Sequence, residues 1–380
     1  MRRRSIHCRQ PVGWQWAAWL SLAFALLTTI SSATAFAEDV KVGLLVGKSS
    51  ILAEEAAQIA NGVDLAQREI AASSSKKFHL VALEKDTNLN PDEASRAFLE
   101  FAKSAEKIHY VIGPQSSAEV SQVAPLAKST KTVLITPSAR SDDILALNEY
   151  VFRTRHSQEQ ECKFFAPYIL SQTQRGALHT IILDSFAGYA LARAFKGAFE
   201  SIGGIVGTFQ DLGVDRPDYA EMMRKLKINR AAYLYVASLS VQVADLMLET
   251  NEAGLHIRFF GNSDNQGQII ITRAGALAEG FTFPYAFDPD GDDNSGSFAR
   301  KYMATYHQPA TQAAANAYDA AMILSLCLEK VGNDVDSVKS CLFYIRDYPG
   351  AGGPLSMDRN GGAKRRLIIK GVRNGEFVKM

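Results

Sequence analysis

The sequence predicts an α/β protein built as two similar lobes, each a parallel sheet wrapped by helices. Three observations carry this expectation. Short apolar runs alternate with amphipathic runs along the chain, which is the rhythm of βα units. That rhythm passes through a polar crossover after Tyr150 and restarts near His179 with its own hydrophobic set. The 380 residues, 47% of them hydrophobic, favour two domains over one.

The first 37 residues stand apart. Arg2, Arg3, Arg4 and Arg9 precede an apolar run from Trp14 to Ile30, which ends in small residues and Ala35-Phe36-Ala37. This is the pattern of a secretory signal peptide cleaved near Ala37, the alternative being a membrane anchor with a short span. The expected location is therefore periplasmic, with a mature chain from Glu38. Cys8 would leave with the leader, so Cys162, Cys327 and Cys341 remain. Cys327 and Cys341 lie on consecutive helical segments around Gly332 and form the candidate bridge. Without histidines at ligand spacing the cysteines make no zinc site.

The mature chain opens on VKVGLLVG, a buried parallel strand, followed by the polar loop Lys48 to Ser50 and a helix through Ile70. Phe78 to Glu84 reads as a strand, Pro91 to Lys103 as a helix with proline at its start, and Ile108 to Ile112 as a third strand. From Tyr110 to Arg140 the order is strand, Gly-Pro turn, serine pair, helix, strand and Pro-Ser-Ala turn. Ser116 or Ser117 would cap the helix that contains Val120, Val123, Ala124 and Ala127, leaving N–H donors that attract a carboxylate. Thr136, Ser138 and the Ala139 carbonyl would line the neighbouring strand end, where parallel sheets bind small ligands.

Asp142 and Asp143 open a short helix, and YVFRTRHS leads into the crossover. Strands near His179 to Asp184, Ile205 to Gln210, Ala231 to Val236 and Ile257 to Gly261 then alternate with helices from Tyr189, Tyr219 and Val241. The loop Asp288-Pro-Asp-Gly-Asp-Asp superficially suggests a calcium loop. It has Asp293 where the turn needs glycine and Ala299 where the bidentate glutamate belongs, so it reads as solvated surface. Ala313 to Gly332 is a long helix suited to a sheet face, and Asn360-Gly361 and Asn374-Gly375 mark hairpin turns in the tail.

Five stretches resemble the leucine/isoleucine/valine-type substrate-binding proteins of ABC transporters. GPQSSAEV, followed about twenty residues later by ITPSA, resembles their paired ligand loops. IANGVDLAQREIA, the Tyr318-Asp319-Ala320 helix and GPLSMDRNG are similar to three further segments. The resemblance implies a type I periplasmic-binding fold, with two doubly wound parallel-sheet lobes joined by three crossovers. Residues 38–155 plus 286–353 would form the first lobe and 156–285 plus 354–380 the second.

The same resemblance implies an exported, monomeric solute-binding protein, without cofactor, that captures an amino acid or related small carboxylate and delivers it to an ABC permease. Hinge closure would complete the cage. A ligand sensor of the same fold is the alternative, and an exported hydrolase a third reading.

The candidate ligand residues are Ser116, Ser117, Ser138, Ala139, Arg140, Phe186 and Asp264. The serines and loop amides would hold the ligand carboxylate and Asp264 its ammonium, although the alignment could slide to Ser263 and Asp264 could instead cap a helix. The resembled proteins tend to have threonine where this chain has Arg140, which could bind a second ligand carboxylate or pair with Asp142 or Asp143. The second lobe departs further, with Phe186 in a changed loop and Ala237-Ser238-Leu239-Ser240 replacing an aromatic. No G-x-S-x-G, H-E-x-x-H, P-loop or strand-linked G-x-G-x-x-G supports catalysis. A net charge of +1, from 41 basic and 40 acidic residues, gives no footprint for nucleic acid or an anionic membrane.

Overall fold

Fourteen buried apolar residues come from the five strands of the first sheet, all but one of them in near-continuous apolar runs, as expected for strands covered on both faces. The computed structural model describes residues 37–173, 177–182, 186–211, 218–291 and 294–380, and Glu38–Met380 forms one compact unit. The first sheet contains β1 (Glu38–Val46), β2 (Phe78–Asp86), β3 (Tyr110–Ile112), β4 (Val133–Thr136) and β5 (Val151–Arg153), in the order β2-β1-β3-β4-β5 and all parallel. Helices α1 (Ala53–Ala72), α2 (Pro91–Ala102) and α3 (Ser117–Thr130) are its crossovers.

After the crossover, β6 (Leu178–Ile182), β7 (Val206–Asp211), β8 (Tyr233–Val236), β9 (Arg258–Phe260) and β10 (Thr282–Tyr285) repeat the same parallel order, β7-β6-β8-β9-β10. Helices α4 (Gln158–Gln172), α5 (Phe186–Ser201), α6 (Tyr219–Ile228), α7 (Ser240–Glu252) and α8 (Ile269–Ala274) belong to this half. An order that reverses direction beside the first strand opens a crevice at the carboxyl ends, once in each sheet. Both crevices therefore follow from the two halves sharing one topology.

The chain then returns through α9 (Asn294–Tyr306), α10 (Gln312–Val331) and α11 (Val335–Phe343). Ala317, Ala320, Ile323, Leu324 and Leu328 of α10 are buried in the first lobe's core. Gly62 of α1 lets these helices approach, because a Cβ there would lie 2.3 Å from the Ala314 carbonyl oxygen. Cys327 and Cys341 are joined as a disulfide with Cα atoms 5.7 Å apart, and Cys162 is free and buried.

The tail differs from the expected lobe boundary. β11 (Tyr348–Gly350), β12 (Gly353–Met357) and β13 (Ala363–Arg365) form a small antiparallel sheet, and Leu355, Met357 and Ala363 pack into the first core. The return to the second sheet begins later, at β14 (Ile368–Arg373), which pairs with β10 and with β15 (Glu376–Lys379). The apolar alternation of the 353–357 strand could serve either sheet, which is why the sequence does not place it. Asn374 and Gly375 close the last hairpin with φ of 53° and 73°, as their dipeptide predicts.

A clamp holds the connection together. Arg365 and Asp319 are fully buried and paired at 2.7 Å; Asp319 also accepts the N–H groups of Ala351 and Gly352, while Arg365 donates to the Thr154 and Gly353 carbonyls. Every strong polar group of the pair thus has a partner, the condition under which a buried ion pair is tolerated.

Candidate ligand site between the lobes

The carboxyl ends of β3 and β4 carry the two loops singled out in the sequence. Ser116 caps α3: its hydroxyl accepts Glu119 N–H and donates to the Glu119 carboxylate, which in turn accepts Ser116 N–H, a closed capping box. Ser117, the next residue, turns its hydroxyl the other way. It accepts the backbone N–H groups of Arg140 and Ser141, each at 3.0 Å. One side chain thereby fastens the two strand-end loops edge to edge.

Gly113 makes the first loop's turn feasible, with φ of 98° and a Cβ position only 2.2 Å from the Leu45 carbonyl oxygen. The loop after β1 joins them, since Gly47 N–H donates to Gln115 Oε1. The second loop is held from below by Arg153, almost fully buried, whose guanidinium donates to the Arg140 and Ser141 carbonyls and to Asp142 at 2.7–2.9 Å.

Arg140 does not pair with Asp142 or Asp143. Asp142 is taken by Arg153, and the Arg140 guanidinium instead contacts the Asp264 carboxylate of the second lobe. Asp264 lies in the loop after β9, and it is not the N-cap of α8, which Gln268 occupies. Its other oxygen, Oδ1, accepts from Arg155 at 2.8 Å. Arg155 also donates to Ser263 Oγ at 2.7 Å and to the Ser138 carbonyl at 3.3 Å, so it touches both lobes from the crossover after β5. Burial would raise the Asp264 carboxyl, but Arg140 and Arg155 outweigh it and hold the group at about 2.

Behind this pair sits a second polar layer. Glu161 of α4 accepts from Ser263 N–H and Oγ and lies 3.0 Å from His156 Nε2. The His156 ring is buried and its Nδ1 has no partner, and burial lowers its affinity for a proton. In the first lobe, Ser138 Oγ donates to the Glu55 carboxylate, whose pKa is raised by burial.

Of the expected residues, Ser117, Ser138, Arg140 and Asp264 converge. Ser116 is committed to its capping box, and Ala139, 2% exposed, gives its N–H to Thr136 Oγ1. The side chain of Phe186 lies outside the described residues, as does the leader. Ser263 is committed to Glu161 and Arg155, which leaves Asp264 as the acid at the crevice. Sequence reasoning missed Glu55, Arg155 and Glu161. Glu55 reads as an ordinary first-turn acid of α1, and only the position of that helix behind the Gly47 loop could have pointed to it. Among the described residues no group of side chains has the makings of a metal site, and no helix is long and apolar enough to cross a membrane.

Two doubly wound lobes with facing strand-end crevices and convergent polar groups define a two-lobed small-molecule binding protein. The chain belongs to the periplasmic binding protein family, whose model matches residues 39–369, and so to binding proteins, not to enzymes. It is 24% identical over 320 residues to a Leu/Ile/Val-binding protein homolog of Brucella melitensis, covering 83% of this chain and 85% of the relative. Its fold matches a leucine binding protein of Thermotoga maritima with a TM-score of 0.80 at 19% identity, over 90% of this chain and 97% of the other. It also matches a solute binding protein from Rhodopseudomonas palustris in complex with 3,4-dihydroxybenzoic acid, with a TM-score of 0.79 at 20% identity, over 90% and 96%. The type I periplasmic-binding fold expected from the sequence is the fold observed.

Proposed function

We propose that this chain is an exported solute-binding protein that captures an amino acid or related small carboxylate between its lobes and presents it to an ABC permease. The observation that carries this is Ser117 fastening the α3 start to the backbone of Arg140 and Ser141, with Asp264 of the opposite lobe in contact with the Arg140 side chain. The α3 amino terminus and Ser117 supply the anion seat, and Asp264 with Arg155 supplies the contact that makes closure dependent on the second lobe. The names of similar proteins, which include amino-acid and hydroxybenzoate binders, support the same ligand range.

The test is a thermal-shift screen of the purified protein against amino acids and small carboxylates. A solute at a hundredfold excess over Kd stabilises by about 2.7 kcal/mol. Ser117→Ala combined with Asp264→Ala is expected to abolish the gain, and the absence of any gain across a broad panel overturns the reading.

A further inference from the structure

We propose that the solute carries two acidic groups and that Arg140 reads the second of them. This rests on the solute-binding reading above and narrows its ligand class.

The two arginines at the crevice are not equivalent. Arg155 is a fixture, with a side chain 7% exposed and partners at the Ser138 carbonyl, Ser263 and Asp264. Arg140 is anchored at its backbone by Ser117, while its side chain, 17% exposed, reaches across to Asp264 through Nη1. The Asp264 contact shows that a carboxylate fits against Arg140 at this point, and a planar guanidinium is the donor best matched to one.

Charge pairing permits the exchange. Arg155 stays against Asp264 with Glu161 also near it, so a solute carboxylate that takes the place of Asp264 on Arg140 leaves each guanidinium with an anionic partner. The strand ends are polar. Ser138, Ser238, Asn262 and Ser263 are buried at the ends of β4, β8 and β9, and Ser240 follows β8; their side chains are hydrogen-bonded within the protein and do not form the apolar surface a branched aliphatic chain would need. A solute with two carboxylates would place one at Ser117 and the α3 amino terminus and the other on Arg140. Asp264 would remain on Arg155, free to accept an ammonium if the solute has one.

The experiment titrates the purified protein with L-glutamate, L-aspartate, glutarate and succinate, and with L-leucine, L-isoleucine and benzoate, by thermal shift and calorimetry. The diacids are expected to bind, the amino and plain diacids being separated by their relative affinities, and Arg140→Gln is expected to weaken them by roughly 10- to 100-fold. Arg140→Lys, which keeps the charge but not the fork, serves if the first variant does not fold, and should weaken them by about tenfold. Leucine or benzoate binding without the diacids overturns this inference and leaves the solute-binding reading intact. Diacid binding unchanged in the Arg140 variants also overturns it. Failure of every solute overturns both.

Discussion

Ser117 and Arg140 are joined through the backbone, the Ser117 hydroxyl accepting the Arg140 N–H at 3.0 Å, so the residue that caps nothing in its own helix sets the position of the neighbouring loop. Ser117→Ala removes the acceptor for two N–H groups, Arg140 and Ser141. An expected loss of about 1–3 kcal/mol follows, measured by urea unfolding, together with loss of the ligand-induced shift.

Asp264 gives the protein an acid limb. Its folded pKa of about 2 lies below the unfolded value near 3.8, so its contribution is complete above about pH 4 and is lost as pH falls toward 2. The shift corresponds to about 2 kcal/mol. Asp264→Asn should flatten this limb in denaturation curves collected between pH 5 and 2, and an unchanged limb would assign it elsewhere.

His156 acts at higher pH. Its folded pKa is depressed by burial below 6.5, so the unfolded chain binds the proton more readily and stability declines as pH drops below about 6.5. The unpartnered Nδ1 explains the direction, since a proton there would meet no acceptor. His156→Gln should reduce the slope of stability between pH 7 and 5, read by thermal melts.

Asp319 anchors the tail. Removing it by Asp319→Ala leaves Arg365 buried and unpaired and frees two backbone N–H groups, at an expected cost of about 3–5 kcal/mol. Chemical denaturation measures this, and a cost below 1 kcal/mol would contradict the clamp.

Gly113 is required by its backbone. Gly113→Ala places a methyl group against the Leu45 carbonyl in a left-handed conformation, and a loss of about 1–3 kcal/mol is expected, with weakened ligand binding because the loop carrying Ser117 shifts.

Much of this was legible in the sequence. The βα rhythm, the serine loops and the Pro-Ser-Ala turn were readable because strand burial, helix caps and glycine turns are set by residues close in the chain. The partner of Arg140 was not. Asp142 and Asp143 stand two and three residues away, and nothing local says that Arg153 will take Asp142 and leave Arg140 to cross to the other lobe. Long side chains reach several partners, and the choice between them is made by tertiary distance. The same holds for Glu55 and Ser138, brought together only by the packing of α1 behind the strand ends. The Tyr318-Asp319-Ala320 segment stands out in the sequence only by resemblance, and its pairing with Arg365 supplies the physical reason.

Helix α10 packs on α1 and lies against the first sheet, yet it follows all five parallel strands of the second sheet in the chain. A nascent chain emerging amino terminus first therefore holds β1 to β5 with one side bare for most of its synthesis. The half made first is thus completed late, and its bare side stays open to wrong partners until residues 312–331 arrive.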